Sequence, residues 1–357
     1  MKILVIANLY PSEKDPTYGT FVKNFTDALS SKDGVSIKLC VIRGRTNNPI
    51  KKLVKYLCFL STALFYLVFS KYDIVYNHII THAAIPLRIV SLFKNIPIVF
   101  NIHGEDLLTK TKISKYGLKI VTPLLYKAKL IVVPSLFFKR KVMEFFPDIN
   151  SELVYVSASG GISKTFFCNE NVLKSQSGVT KIGYVSRIDR GKGWKVFVDA
   201  ISCLQDNGIN IQGYLAGTGA QVLDLKEYLK KNGKSKIKYV GAVPYSELPK
   251  FYSKIDLFVF PTMLEESLGL VGLEAMASSV PVIASQIGGI TDYLSDGRNG
   301  YFFAKGNYKD LANCILKYIL ADENVKKQLK NTAFSTAKNY ESDLIMDRLY
   351  QKLLLLN

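Results

Sequence analysis

A chain of 357 residues, 48% apolar and 21% charged, is long enough for two packed domains and too evenly mixed for a fibrous, low-complexity or disordered protein. Five scattered cysteines and only three histidines (His78, His82 and His103) leave no zinc-type ligand spacing, so no metal site is expected and Cys40, Cys58, Cys168, Cys203 and Cys314 read as buried small hydrophobes of a reducing compartment. The net charge of +18 is uneven, with 24 Lys and Arg against 11 Asp and Glu in residues 1–178 and 23 against 18 in the remainder, which points to an anionic partner for the first half.

Ile3–Ala7 is an apolar run that stops at Asn8, too short for a signal peptide and suited to a buried parallel strand. Ser36–Ile42, Ile74–His78, Ile98–His103, Leu130–Pro134 and Leu153–Ser157 read as further strands. Helical patterns fall at 19–31, 50–70, 81–94, 114–127 and 135–146, and this alternation predicts an α/β domain with a doubly wound parallel sheet. Residues 159–180 are Gly- and Ser-rich with little periodicity and read as a linker.

A second series follows, with strands at Lys181–Val185, Ile211–Ala216, Ile237–Val240, Leu257–Pro261 and Val282–Ala284. Helices are expected at 193–207, 219–232, 246–253, 271–278, 308–318 and 323–336. The expected layout is one Rossmann-like domain over 1–165, a second over 166–338, and a terminal helix within 339–357 that packs back on the first. Two such domains leave a cleft, and ligands of open α/β sheets bind beyond the C-terminal strand ends.

Three stretches of the second series carry candidate chemistry there. Gly183-Tyr-Val-Ser-Arg187-Ile-Asp-Arg-Gly-Lys192-Gly193 puts a planar cation and a point cation after one strand, a pair suited to a diphosphate or to a basic surface turn. Glu265-Glu266-Ser-Leu-Gly269-Leu270-Val271-Gly-Leu-Glu274 opens a helix whose first-turn N–H groups are free for an anion; Glu274 can accept from vicinal hydroxyls. Pro281-Val-Ile-Ala-Ser285-Gln-Ile-Gly288-Gly289 ends a strand on glycines that permit close backbone approach to a ligand, or that simply form a βα turn. In the first half, Gly19 follows the first strand, and His103 ends another as either a sugar contact or a structural histidine.

Taken in this order, Gly19, His103, Arg187-x4-Lys192-Gly193, Glu266-x7-Glu274 and Gly288-Gly289 resemble the GT4 family of glycosyltransferases over essentially the whole chain, most densely in 181–303. The resemblance implies a GT-B fold, two Rossmann-like domains facing a cleft, and retaining transfer from a nucleotide-sugar without an obligatory metal or other cofactor. It implies that Arg187 and Lys192 hold the diphosphate, Glu274 the ribose and Glu266 the donor sugar. By the same resemblance Gly19, Leu270, Val271 and Gly288 lie at the donor, His103 near the transferred sugar, and Val243 against the base. The chain departs from the family pattern at Ser267-Leu268-Gly269, Gly161-Ile162-Ser163, Ala277-Ser278-Ser279 and Asp292.

The acceptor is expected to be a cell-envelope or lipid-linked glycan, with a small soluble acceptor as the alternative. A polyanion or nucleic-acid binder on the same scaffold is disfavoured by the intact Arg187, Lys192, Glu266 and Glu274 set. From Tyr56 to Phe69 the chain is strongly apolar, about 14 residues against the roughly 20 that span a bilayer, and Lys51, Lys52, Lys55 and Lys71 flank it. This reads as a peripheral helix on an anionic membrane, with Phe59, Phe65 and Lys55 toward the lipid and the protein on the cytoplasmic face.

Overall fold

The computed structural model describes every residue except 16–17, 105, 108–111, 168–177, 232–235 and 357. Cys168 and about half of the expected linker lie outside the described residues. The chain divides into two compact units, Met1–Gly161 with Asp343–Asn357, and Ile162–Ser342.

In the first unit, β1 (Lys2–Tyr10), α1 (Thr20–Ser30), β2 (Ser36–Arg43), α2 (Pro49–Phe69), β3 (Ile74–His78), α3 (Ala84–Val90), β4 (Ile98–Asn101), α4 (Lys112–Leu125), β5 (Leu130–Val133), α5 (Leu136–Phe145) and β6 (Val154–Val156) alternate along the chain. All six strands are parallel, in the order β2-β1-β3-β4-β5-β6. The inner strands are buried on both faces, which is why they read as unbroken apolar runs. The order reverses between β1 and β3, so the loops leaving those two strands flank the sheet's switch point.

Helix α2 is longer than its apolar stretch. Pro49 sits in its first turn and the Asn48 side chain accepts from the Lys51 N–H at 3.0 Å, a cap that starts the helix ahead of Tyr56. Its 21 residues match the helix expected over 50–70, and by length and composition alone they are enough to cross a membrane, more than the apolar stretch from Tyr56 to Phe69 suggests. Its inward stripe is Phe59, Ala63 and Leu67, four residues apart, packed into the core of this unit. Phe59 is 4% exposed, so it is a core residue and not a lipid-facing one. Lys55 is likewise reassigned: its Nζ donates to the Arg43 and Gly44 carbonyls at 2.7 and 2.8 Å and closes the end of β2. The reading of the cysteines as buried holds for Cys40 and not for Cys58, which is exposed on α2.

The second unit contains β7 (Thr180–Val185), α6 (Trp194–Asp206), β8 (Ile211–Ala216), α7 (Val222–Lys231), β9 (Ile237–Gly241), α8 (Leu248–Tyr252), β10 (Leu257–Phe260), α9 (Leu270–Ala277), β11 (Val282–Ser285), β12 (Gly300–Phe303), α10 (Tyr308–Leu320) and α11 (Glu323–Lys338). Its parallel sheet runs β12-β11-β10-β7-β8-β9. Here the order reverses between β7 and β10. The final helix α12 (Ser342–Leu354) belongs mostly to the first unit. It seats Met346, Leu349 and Leu353 in the core beneath β1 and α1, Lys32 pairs with Asp347, and the Tyr350 hydroxyl donates to the Asp33 carbonyl at 3.3 Å.

Candidate functional site

Candidate residues gather at the switch point of each sheet. In the second unit the loops leaving β7 and β10 are bonded together. The Met263 N–H donates to the Gly191 carbonyl at 2.7 Å. Gly193, at φ +77°, lies so close to β10's end that a β-carbon would sit 1.8 Å from the Pro261 carbonyl oxygen. Only glycine allows that approach and that backbone together. The Tyr184 hydroxyl reaches back from β7 to the Lys192 carbonyl at 3.1 Å.

This brings Lys192 onto Glu266. Lys192 Nζ donates to Glu266 Oε1 at 2.7 Å, and the buried Thr262 hydroxyl donates to the same oxygen at 2.8 Å. The side chains are 13% and 18% exposed, so the pair is shielded but reachable. Arg187 stands apart: its guanidinium is 3.2 Å from the Asp189 carboxylate and its side chain is 68% exposed. The structure therefore places one of the two expected cations in a partly buried ion pair and leaves the other on the surface.

Gly288 and Gly289 close on the same loop. A β-carbon on Gly288, at φ +61°, would lie 2.5 Å from the Glu266 carbonyl oxygen, and the Gly289 N–H donates to that oxygen at 2.8 Å. The close approach that these glycines make in the structure is to the Glu266 backbone. Helix α9 starts at Gly269, φ +85°, and its opening residues Leu270 and Val271 follow directly. The Tyr293 hydroxyl donates to the Gly269 carbonyl at 3.0 Å.

Glu274 is 4% exposed, one turn into α9. The Tyr252 hydroxyl donates to its Oε2 at 3.4 Å and to the Val271 carbonyl at 3.1 Å. Burial pushes the Glu274 carboxyl up to about 7, with the tyrosine hydrogen bond opposing in part. A buried carboxylate with one long hydrogen bond from a tyrosine is suited to a ligand that brings its own hydrogen-bond donors. Val243 lies in the loop between β9 and α8, partly exposed.

Two features here were missed in the sequence. Thr262, which orients Glu266, follows β10 as an ordinary polar residue with no motif around it. Gly217 and Gly219, after β8, press on the β7 loop: their β-carbons would meet the Ser186 carbonyl oxygen at 1.8 Å and the Ile188 carbonyl oxygen at 2.6 Å. The Gly-Thr-Gly triplet following a strand was the available signal.

In the first unit, Gly19 heads α1 at φ +72°, where a β-carbon would fall 2.8 Å from the backbone of Leu9. Strand β4 ends at Asn101, two residues sooner than expected, so His103 lies in the following loop. Its backbone N–H donates to Asp106 Oδ2 at 2.9 Å, and its ring Nε2 is 3.1 Å from Nδ1 of His78 at the end of β3. Burial lowers His103 to about 4 and His78 well below the usual histidine range, so both rings are neutral near pH 7. Among the described residues no group of three or more His, Cys, Asp or Glu is placed to hold a metal ion.

Comparison with known proteins agrees with this layout. The profile of the family described as Glycosyl transferases group 1 matches residues 169–336. An uncharacterized glycosyltransferase of Methanocaldococcus jannaschii is 29% identical over 267 residues, 73% of this chain and 70% of that protein. The capsular polysaccharide biosynthesis glycosyltransferase CapM of Staphylococcus aureus is 29% identical over 171 residues, 47% of this chain and 44% of its own length. The chain thus spans less than half of that relative. The crystal structure of Anabaena HepE in complex with UDP superposes with a TM-score of 0.77, covering 99% of each chain at 20% identity, a likeness of fold. The two-sheet scaffold is that of GT-B proteins, and residues 169–336 of the chain carry a glycosyl transferases group 1 domain.

Proposed function

We propose that the protein is a retaining, metal-independent glycosyltransferase of the GT4 type that moves a sugar from a nucleotide diphosphate to a cell-envelope or lipid-linked glycan. The observation that carries this reading is the Lys192–Glu266 pair at the β7/β10 switch point, next to the N-terminus of α9. Lys192 and Arg187 are assigned to the diphosphate, Glu266 to the donor sugar, Glu274 to the ribose, and Val243 to the base. Gly19, Leu270, Val271 and Gly288 supply or position backbone at the donor, and His103 contacts the reacting sugar.

The anomeric C–O bond to the phosphate breaks as the acceptor oxygen bonds to the same carbon from the same face. The leaving phosphate oxygen takes the acceptor's proton. Negative charge grows on the diphosphate, and fixed cations with helix N–H groups stabilise it where it grows. No separate general base is assigned, and the reaction draws on no cofactor.

The acceptor class is supported by the capsular relative and by α2. Outside its buried stripe α2 exposes Leu53, Leu57, Phe65 and Phe69 beside Lys51 and Lys52, a surface suited to the cytoplasmic leaflet of the plasma membrane. Hydrolysis of a panel of nucleotide-sugars, with and without EDTA, tests the reading. Turnover of one donor that survives chelation is expected. Turnover abolished by EDTA and restored by magnesium or manganese overturns metal independence, and no turnover of any donor overturns the activity.

A further inference from the structure

His103 does not stand alone. His78 is 1% exposed and enclosed by aromatic rings, with Phe25 edge-on at 4.7 Å between centroids, Tyr76 at 4.9 Å and Phe21 at 5.9 Å. Its ring lies within 19° of the plane of the His103 ring, centroids 5.3 Å apart, and its Nδ1 is 3.1 Å from His103 Nε2. The other ring nitrogen of His78, Nε2, is buried with no hydrogen-bond partner.

Two neutral arrangements satisfy the 3.1 Å contact. In one, His78 Nδ1–H donates to a bare His103 Nε2, and the His103 proton sits on Nδ1. In the other, His103 Nε2–H donates to His78, whose own proton then sits on the buried Nε2 with no acceptor. Orphaned N–H groups in protein interiors are rarer than orphaned acceptors, because a desolvated donor has no second way to be satisfied. The first arrangement strands only an acceptor. It also leaves the His103 proton on Nδ1, the ring nitrogen that His78 does not engage, where it is able to donate.

We propose that His78 is a positioning residue that fixes the ring and the tautomer of His103, so that His103 presents an Nδ1–H donor to an oxygen of the reacting sugar. The proposal rests on the assignment of His103 to that sugar. His103 and not His78 is the contacting residue; His78 acts through it by the single Nδ1···Nε2 bond.

Long-range ¹H–¹⁵N correlation spectra of the full chain labelled on histidine nitrogen read the tautomers directly. Both His78 and His103 are expected to carry their proton on Nδ1. A proton on His103 Nε2 overturns the proposal, whether or not the protein turns over a sugar donor. His78→Phe keeps an aromatic ring in the cage and removes the donor. Its turnover is expected to fall at least about tenfold, the scale of a lost orienting hydrogen bond, with nucleoside diphosphate affinity unchanged. His78→Asn can place an amide N–H near Nδ1 and is expected to restore most of that loss. Unchanged turnover in folded His78→Phe, or a folded His78→Asn as impaired as His78→Phe, also overturns it. Should His78→Phe fail to fold, the wild-type spectrum and His78→Asn decide. Absence of any sugar transfer by wild type removes the assignment of His103 and leaves the tautomer result standing.

Discussion

Lys192 and Glu266 lie 74 residues apart in sequence and meet at 2.7 Å, because the loops that carry them leave neighbouring strands where the sheet order reverses. The same lysine assigned to a diphosphate is therefore held by a carboxylate assigned to the sugar. Removing the carboxylate with Glu266→Ala frees the cation. Affinity for a free nucleoside diphosphate is expected to be retained or raised, while turnover falls. Lys192→Ala removes the charge itself and is expected to lower kcat/KM by ~3 kcal/mol, the scale of a lost oxyanion donor. Calorimetric titration with nucleoside diphosphates, paired with turnover, separates the two. A loss of diphosphate affinity in Glu266→Ala as large as in Lys192→Ala contradicts the division of roles.

Gly288 offers a test of the loop rather than the charge. Alanine there needs a β-carbon 2.5 Å from the Glu266 carbonyl oxygen and a backbone at φ +61°. The loop must shift, and with it Glu266. Gly288→Ala is expected to reproduce the turnover loss of Glu266→Ala and to reduce stability by about 1–3 kcal/mol from the strained backbone. Normal turnover with an unchanged unfolding midpoint is the outcome that excludes this packing.

Glu274 predicts a pH dependence with a definite sign. Its carboxyl is raised from 4.5 to about 7 in the folded chain, mainly by burial. In the unfolded chain it ionises near the ordinary value. Between these two pH values the folded state holds the extra proton, so stability is lost as pH rises through the window and levels off above it. At ~1.4 kcal/mol per pH unit the full effect is on the order of 3 kcal/mol. Glu274→Gln cannot ionise. Wild type should therefore lose stability relative to this variant from about pH 4.5 to about pH 7. Urea unfolding of both proteins at pH 5 and pH 8 measures it, and an equal difference at both pH values rules it out. Ribose hydroxyls would favour the ionised form, so nucleoside diphosphate binding near neutral pH is expected to release a proton.

The parallel sheets were legible because strands buried on both faces read as continuous apolar runs, and the candidate motifs fall immediately after them. Strand β12 was not, since Gly300–Phe303 is only four residues long and directly follows Asp296-Gly297-Arg298-Asn299, residue types that favour turns. Motif residues could be named singly, but their partners could not. The bonds Lys192–Glu266 and His78–His103 depend on which strands are adjacent, and strand order is a long-range property. Glu274 was visible as a helix carboxylate, whereas Tyr252, which sets its hydrogen bonding, comes from α8, 22 residues earlier. On α2 the periodicity showed an apolar helix without showing which face was buried; Phe59 and Phe65 are both phenylalanines, and only packing puts the first in the core at 4% exposure and the second outside at 57%.

That distinction supplies the membrane test. Leu53, Leu57 and Phe65 are 60%, 55% and 57% exposed on α2, and Ile85 and Ile89 on the adjoining α3 add 50% and 44%. A monomeric soluble surface rarely gathers so many large apolar side chains together. The exposed Lys51 and Lys52 lie at the same end of the helix as Leu53. Anionic lipid attracts each such lysine by ~1 kcal/mol, and the attraction fades beyond a Debye length of about 10 Å at 0.1 M salt. Wild type is expected to sediment with vesicles containing anionic lipid at low salt and to be partly released at high salt. Leu53→Ser with Leu57→Ser and Phe65→Ser should abolish sedimentation at both salts, with little change in stability, since these side chains are outside the core. Lys51→Glu with Lys52→Glu should weaken binding mainly at low salt. Donor hydrolysis should be unchanged in both variants, because α2 holds none of the residues assigned to the donor, while transfer to a lipid-linked acceptor in vesicles should fall. Wild type remaining in the supernatant at low salt would exclude the membrane and favour a small soluble acceptor.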